Sequence, residues 1–133
     1  MKTGNARLGN LRKGAPRPLP GETALRIDRT STLGNRHVMK SEAERGPVIA
    51  AFGADLEADA AVAGPLSKAV DGIVARVLAG ESVVLECWCH PKPCHGDVIL
   101  DRVAKLVCAQ VPGHPLASRL VKAPVIEQGY LGV

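Results

Sequence analysis

A chain of 133 residues with a net charge of +4 suits one domain built on one modest core. Hydrophobic residues make up 46% and aromatic residues only 2%, with Phe52, Trp88 and Tyr130 as the aromatic set, so the core is expected to be aliphatic. No run of about 18 apolar residues is present, which argues against a membrane span. The first residues lack the apolar stretch of a signal peptide, so a cytosolic location is expected. In that compartment clustered cysteines point to metal binding, catalysis or redox chemistry rather than to a disulfide framework.

Met1 to Pro20 carries Lys2, Arg7, Arg12, Lys13 and Arg17 and no acidic residue. Rich in Gly, Pro and Asn, it is expected to be a flexible basic arm, either a solvated tail or a tether for nucleic acid or phosphate. The scarcity of aromatic side chains removes the stacking platforms of single-strand binders, which makes nucleic acid the weaker partner. Residues 21–111 are expected to form a single domain, and 112–133 a C-terminal arm over the body or against a neighbouring subunit.

Thr23 to Asp28 alternates apolar and polar and predicts a first strand. Arg29 to Arg36 is a Ser/Thr/Gly/Asn loop. Ser41 and Glu44 have the capping-box spacing, with Gly46 expected to interrupt the turn. Pro47 then fits the first position of a helix carrying Val48, Ile49, Phe52 and Leu56 on one face. The clearest helix runs from Pro65 to Ala79 and is stopped by Gly80. A buried strand over Ser82 to Cys87 follows, then a polar loop, then a helix from Asp97 to about Val111. A short strand is expected at Val125 to Gln128.

Strand, helices, strand, helix predicts an α/β fold, a small Rossmann-like parallel sheet flanked by helices. Parallel strands put both following loops on one rim, outside their carboxyl ends. Arg29 to Asn35 and Cys87 to Gly96 would then face one cleft. The second loop is dense in chemistry: Cys87 to Asp97 holds three of the four cysteines, two of the four histidines and the only tryptophan.

Cys94, preceded by Pro93 and followed at three residues by Asp97, sits where a helix begins. Unpaired N–H groups and the helix dipole there lower a thiol pKa, with His95 and Lys92 as further aids. That favours a nucleophilic or redox cysteine, Asp97 serving to orient or cap; the plainer alternative is a small residue filling the turn. Cys87 and Cys89 alternate and share one face, while Trp88 points to the other as core or lid. Cys87, Cys89, Cys94 and His95 also make a three-cysteine, one-histidine set of zinc type, although their tight spacing departs from common structural sites. A redox-switched Cys–Cys bridge is a third option. Cys108 is expected in the core. Arg29 offers a donor fork for phosphate or carboxylate, with Ser31, Gly34 and Asn35 as companions in an anion cradle. His37 is placed near this rim, and His90 and His114 are expected to be exposed. No dinucleotide fingerprint, P-loop or zincin pattern occurs.

The segments Ile27 to Asn35 and Leu85 to Val98 together resemble the phage and bacterial family known as domain of unknown function 4326. Its members carry an Arg-x-Ser-x-x-Gly-Asn loop and a Cys-Trp-Cys-x-Pro-x-x-Cys-His-Gly-Asp signature, over a span corresponding to Thr23 to Leu106. The resemblance implies that Arg29, Ser31, Gly34, Asn35, Cys87, Cys89, Pro91, Cys94, His95, Gly96 and Asp97 occupy motif positions, and suggests a phage or prophage origin. The chain departs from the pattern at Leu33 and at Arg36-His37. A small enzyme or binding domain for a phosphate-bearing, nucleotide-like molecule is thus expected. Cys94, His95 and Asp97 would carry the chemistry, and Arg29, Ser31, Gly34, Asn35, Cys87, Cys89 and Gly96 would hold the ligand. The alternative is a metal-binding interaction or regulatory module of zinc or iron type without catalysis. The sequence leaves the cofactor unassigned, and a homodimer is plausible for so small a sheet.

Overall fold

A computed structural model describes residues 2–121. The fold is a small α/β layer: a parallel sheet of three strands, in the order β1-β3-β2, flanked by helices. The central strand, β3 (Ser82–Cys87), pairs with β1 (Ala6–Asn10) on one side and β2 (Glu22–Arg26) on the other. A strand paired on both edges and covered on both faces must be apolar along its length. Val83, Val84 and Leu85 are indeed each 1% exposed or less.

Register sorts the strand residues by face. Ala6, Leu8, Val83, Leu85 and Cys87 are alternate residues that share one face, and all belong to the main core. Onto that face pack α1 (Arg45–Ala61), α2 (Pro65–Leu78) and α3 (His95–Gln110), burying Phe52 and Leu56, then Val70, Ile73, Val74 and Val77, then Ile99, Leu100, Val103 and Val107. The other face carries Arg7, Glu22, Ala24, Arg26 and Glu86 around Val84. There the Arg7 guanidinium grips the Glu22 carboxylate at 2.7 and 2.8 Å. Residues 11–21 join β1 to β2, and the right-handed rule for parallel crossovers assigns them to this face.

The expected basic arm is therefore not an arm. Its middle is an edge strand, with Ala6 and Leu8 buried against the helices, and charge composition concealed this because only Arg7 of the pair-forming residues points outward. The expected first strand is shifted to Glu22–Arg26, since Ile27 and Asp28 already turn into the loop, where the Ile27 amide still donates to the Glu86 carbonyl. Gly46 does not interrupt a helix. α1 starts at Arg45, and Pro47 lies in its first turn, where no amide partner is required. Ser41 precedes a short 3₁₀ turn, Glu42–Glu44, without a side-chain cap, and Glu44 instead accepts from the Lys40 amide.

α2 and β3 lie where the pattern put them, and Gly80, at φ +103°, makes the left-handed stop between them. After α3, a 3₁₀ turn (Pro115–Ala117) and a short α4 (Ser118–Val121) lie against the body. His114, expected at the surface, is 3% exposed; its Nε2–H donates to the Gly4 carbonyl at 2.8 Å and its Nδ1 accepts from the Leu116 amide at 3.0 Å. The strand expected at Val125 to Gln128, and Tyr130, lie outside the described residues.

Leu8→Ala tests the edge strand. A buried leucine truncated in a core costs about 2–5 kcal/mol, whereas the same change in a solvated arm costs nearly nothing. Urea unfolding of the variant is expected to show the larger loss.

Candidate functional site

β2 and β3 are parallel neighbours, so the chain leaves both at the same edge of the sheet. The loops that follow meet in one cleft of about 270 Å³ lined by Asp28, Arg29, Asn35, His37, Arg45, Cys87, Trp88, Cys89, Cys94 and His95, among others. Hydrogen bonds tie loop to loop across it. The Trp88 indole N–H donates to Asp28 Oδ2 at 3.1 Å, and His95 Nε2 lies 2.6 Å from the Ile27 carbonyl oxygen. A carbonyl only accepts, so Nε2 carries the proton. His95 is further fixed edge-on to Phe52, with ring centroids 5.1 Å apart.

Asp28, which the sequence pattern did not single out, organises the β2 loop. It takes the Arg26 guanidinium at 2.5 Å and the Thr30 hydroxyl at 2.5 Å as well as the indole. These donors, Arg26 first, hold its carboxyl well below the usual carboxylate range. A charged residue directly after a strand at its carboxyl end was the signal available for it.

Arg29 uses Nε to hold the Asn35 carbonyl at 3.0 Å; among the described residues its two terminal nitrogens have no partner. Asn35 is buried and spans the loop to α1, donating to the Val48 carbonyl and accepting from the His37 amide. Its amide is thus committed to architecture, although its side of the loop lines the cleft. Ser31 and Gly34 do not line it. The Ser31 hydroxyl turns back to the Asp28 carbonyl at 3.1 Å, and a Cβ on Gly34 would sit 2.5 Å from both the Arg29 Cα and the Asp28 carbonyl oxygen. Glycine at 34 lets the loop fold back on itself. One more cleft residue, Arg45, was missed, because only folding brings it near. Arg45, at the start of α1, donates to the Pro93 carbonyl at 2.8 Å, pairs with Glu42 and lies against the Cys89 sulfur. His37, which does reach the rim, donates from Nε2 to Asp55 at 2.7 Å.

The second loop ends in a capping box. Cys94 is the N-cap of α3: its Sγ accepts from the Gly96 amide at 3.3 Å, and Asp97 Oδ2 accepts from the Cys94 amide at 3.0 Å. Asp97 also receives Arg119 and does not line the cleft, so the structure gives it the capping role. Gly96 lies behind the cleft, where a Cβ would press to 2.9 Å on Ile27 and Leu8; it lets α3 approach the sheet. Trp88, expected as core or lid, is 49% exposed at the cleft. Lys92 is exposed near Glu42 and His90 offers its backbone carbonyl to Asn10.

The sulfurs of Cys87 and Cys94 lie 3.3 Å apart, both free and buried. Each disfavours a second negative charge beside the first, so the pair holds one charge and one proton. The hydrogen bond from Cys94, helped by the backbone amides of Cys89 and His90, brings Cys87 down to about 5. Cys94, as the donor of that bond and buried beside the charge, is pushed up. The direction of these shifts favours the charge on Cys87, where the helix-start argument favoured Cys94. The helix start alone would lower Cys94, but one amide contact there is outweighed by the neighbouring sulfur. Cys108 is half-buried against the core. Among the described residues, no three His, Cys, Asp or Glu side chains are arranged to hold a metal ion. His95, with Nε2 turned to the Ile27 carbonyl, does not join Cys87, Cys89 and Cys94 as a fourth ligand through that nitrogen.

Two outcomes follow from this geometry. Gly34→Ala is expected to cost about 3 kcal/mol, the upper end for overpacking, because backbone rather than a side-chain tip blocks the methyl group; thermal unfolding reads it. The sulfur pair also makes stability depend on pH. Cys87 falls from 9.0 in the unfolded chain to about 5 in the fold, so its contribution grows as pH rises from 5 and is complete near 9. Above 9 the raised Cys94 reverses the trend, because the unfolded thiol ionises and the folded one does not. The difference in urea midpoint between wild type and the double variant Cys87→Ala/Cys94→Ala should widen from pH 5 to 9; a constant difference contradicts the shared charge.

Comparison with known protein families gives a match. Residues 10–105 fit the family described as Domain of unknown function (DUF4326), a span that contains β2, β3, all of α1 and α2, and both cleft loops. No curated protein and no solved structure matches the chain. The match covers well over half of the sequence and both motif loops: the chain belongs to the DUF4326 family.

Proposed function

We propose that the cleft binds a phosphate-bearing, nucleotide-like small molecule, and that the Cys87–Cys94 pair is its reactive group. The observation that carries this reading is one cleft combining an unengaged guanidinium edge, a fixed aromatic face and a thiolate. Arg29 keeps both terminal nitrogens for a planar, bidentate anion contact, the geometry of phosphate recognition. Trp88 is half exposed and held by its indole N–H, so its ring is a rigid stacking surface for a base. A volume of about 270 Å³ is at the small end of ligand pockets and suits a mononucleotide rather than a dinucleotide.

In this reading Cys87 supplies the thiolate and Cys94 holds the shared proton, with His95 and Asp97 fixing the helix start that positions both. Arg45, His37 and Asn35 shape the wall. A carboxylate ligand without a base would use Arg29 alone and leave Trp88 idle, which is why the nucleotide class is favoured.

Trp88 is the only tryptophan, so its fluorescence reports the cleft directly. Titration with the four common ribonucleoside monophosphates is expected to give a saturable change with at least one. Arg29→Ala should weaken that binding by roughly tenfold to a hundredfold, as for loss of a charged hydrogen bond of about 1.5–3 kcal/mol. No saturable response to any of the four nucleotides in millimolar excess overturns the proposal.

A further inference from the structure

We propose that Cys87 and Cys94 are a redox-active dithiol that a small hydroperoxide, hydrogen peroxide being the simplest, converts to an intramolecular disulfide. The two sulfurs come from different elements, the end of β3 and the N-cap of α3, yet already lie in van der Waals contact at 3.3 Å. Bond formation requires them to close by only about 1.3 Å, to the ~2.05 Å of a disulfide. Both line the cleft, at 2% and 3% exposure, so the oxidant must be small; a bulky disulfide such as oxidised glutathione is excluded by the same burial. Cys89 and Cys108 have no sulfur partner among the described residues, which confines the bridge to this pair.

The chemistry balances in two steps. The Cys87 thiolate attacks one peroxide oxygen, the O–O bond breaks, and hydroxide leaves, giving a sulfenic acid at Cys87. The Cys94 sulfur then attacks Cys87, forming the S–S bond as the S–O bond breaks. The departing oxygen takes up the Cys94 proton. In sum one thiolate, one thiol and one peroxide give one disulfide, one water and one hydroxide, and the proton released when the thiolate formed turns that hydroxide into a second water. Proximity makes Cys94 the resolving group and protects Cys87 from further oxidation. Oxidation also removes the thiolate from the cleft and so silences the reactive group proposed above; that silencing alone rests on the nucleotide reading.

The experiment treats the reduced full chain with hydrogen peroxide, quenches with an alkylating reagent under denaturing conditions, and maps the peptides by mass spectrometry. Two of the four free thiols are expected to disappear, with a single Cys87–Cys94 cross-link and Cys89 and Cys108 alkylated. Cys89→Ser should form the same link, and Cys94→Ser should instead trap dimedone at Cys87 and progress to sulfinic acid. Recovery of four alkylated cysteines, a bridge through Cys89, or sulfinic acid at Cys87 in the wild-type chain overturns the proposal. Mapping needs no nucleotide, so failure of the binding titration leaves this result standing, and failure here leaves the titration standing.

Discussion

A buried hydrogen bond from the His95 ring to the Ile27 carbonyl joins the first turn of α3 to the end of β2. Everything at the cleft depends on it and on the parallel register beneath it. β2 and β3 deliver their loops to the same edge of the sheet, but adjacency alone leaves loops free to drift. His95 locks the helix start to the neighbouring strand, Trp88 locks the sulfur-bearing loop to Asp28, and Asn35 locks the arginine-bearing loop to α1. The site is assembled by crosslinks between backbone and buried polar side chains, each satisfied, on a rigid sheet.

Those crosslinks account for the division of labour among the motif residues. Gly34, Ser31, Gly96 and Asp97 have the regularity of a binding motif, yet each acts on the chain itself, as a close approach, a turn or a cap. What is left facing the cleft is a shorter set: Arg29, Trp88 and the sulfurs of Cys87, Cys89 and Cys94. A motif defined by sequence mixes the residues that meet a ligand with those that make the loop possible, and only the partners of each side chain separate them.

The α/β class, β3, α2 and the meeting of the two loops were legible because each rests on local pattern or on strand direction. Continuous apolar residues mark a central parallel strand, the 3.6-residue repeat marks α2, and parallel pairing fixes which edge the loops share. β1 was hidden because a five-residue edge strand with one face solvated looks like its charged surroundings. Arg45 and the pairing of His37 with Asp55 were hidden because their separation along the chain gives no local sign of contact. The sharing of one charge between Cys87 and Cys94 depends on a sulfur–sulfur distance that spacing cannot supply.

The family match begins at residue 10, at the last residue of β1. A protein cut to that boundary would leave β3 with a bare row of amides and carbonyls along one side, and Val83, Leu85 and α3 without their cover. Such an edge recruits other strands, so the shortened chain would be prone to self-association through β3. Expression of this domain should therefore start upstream of the matched span, where the sheet acquires its outermost member.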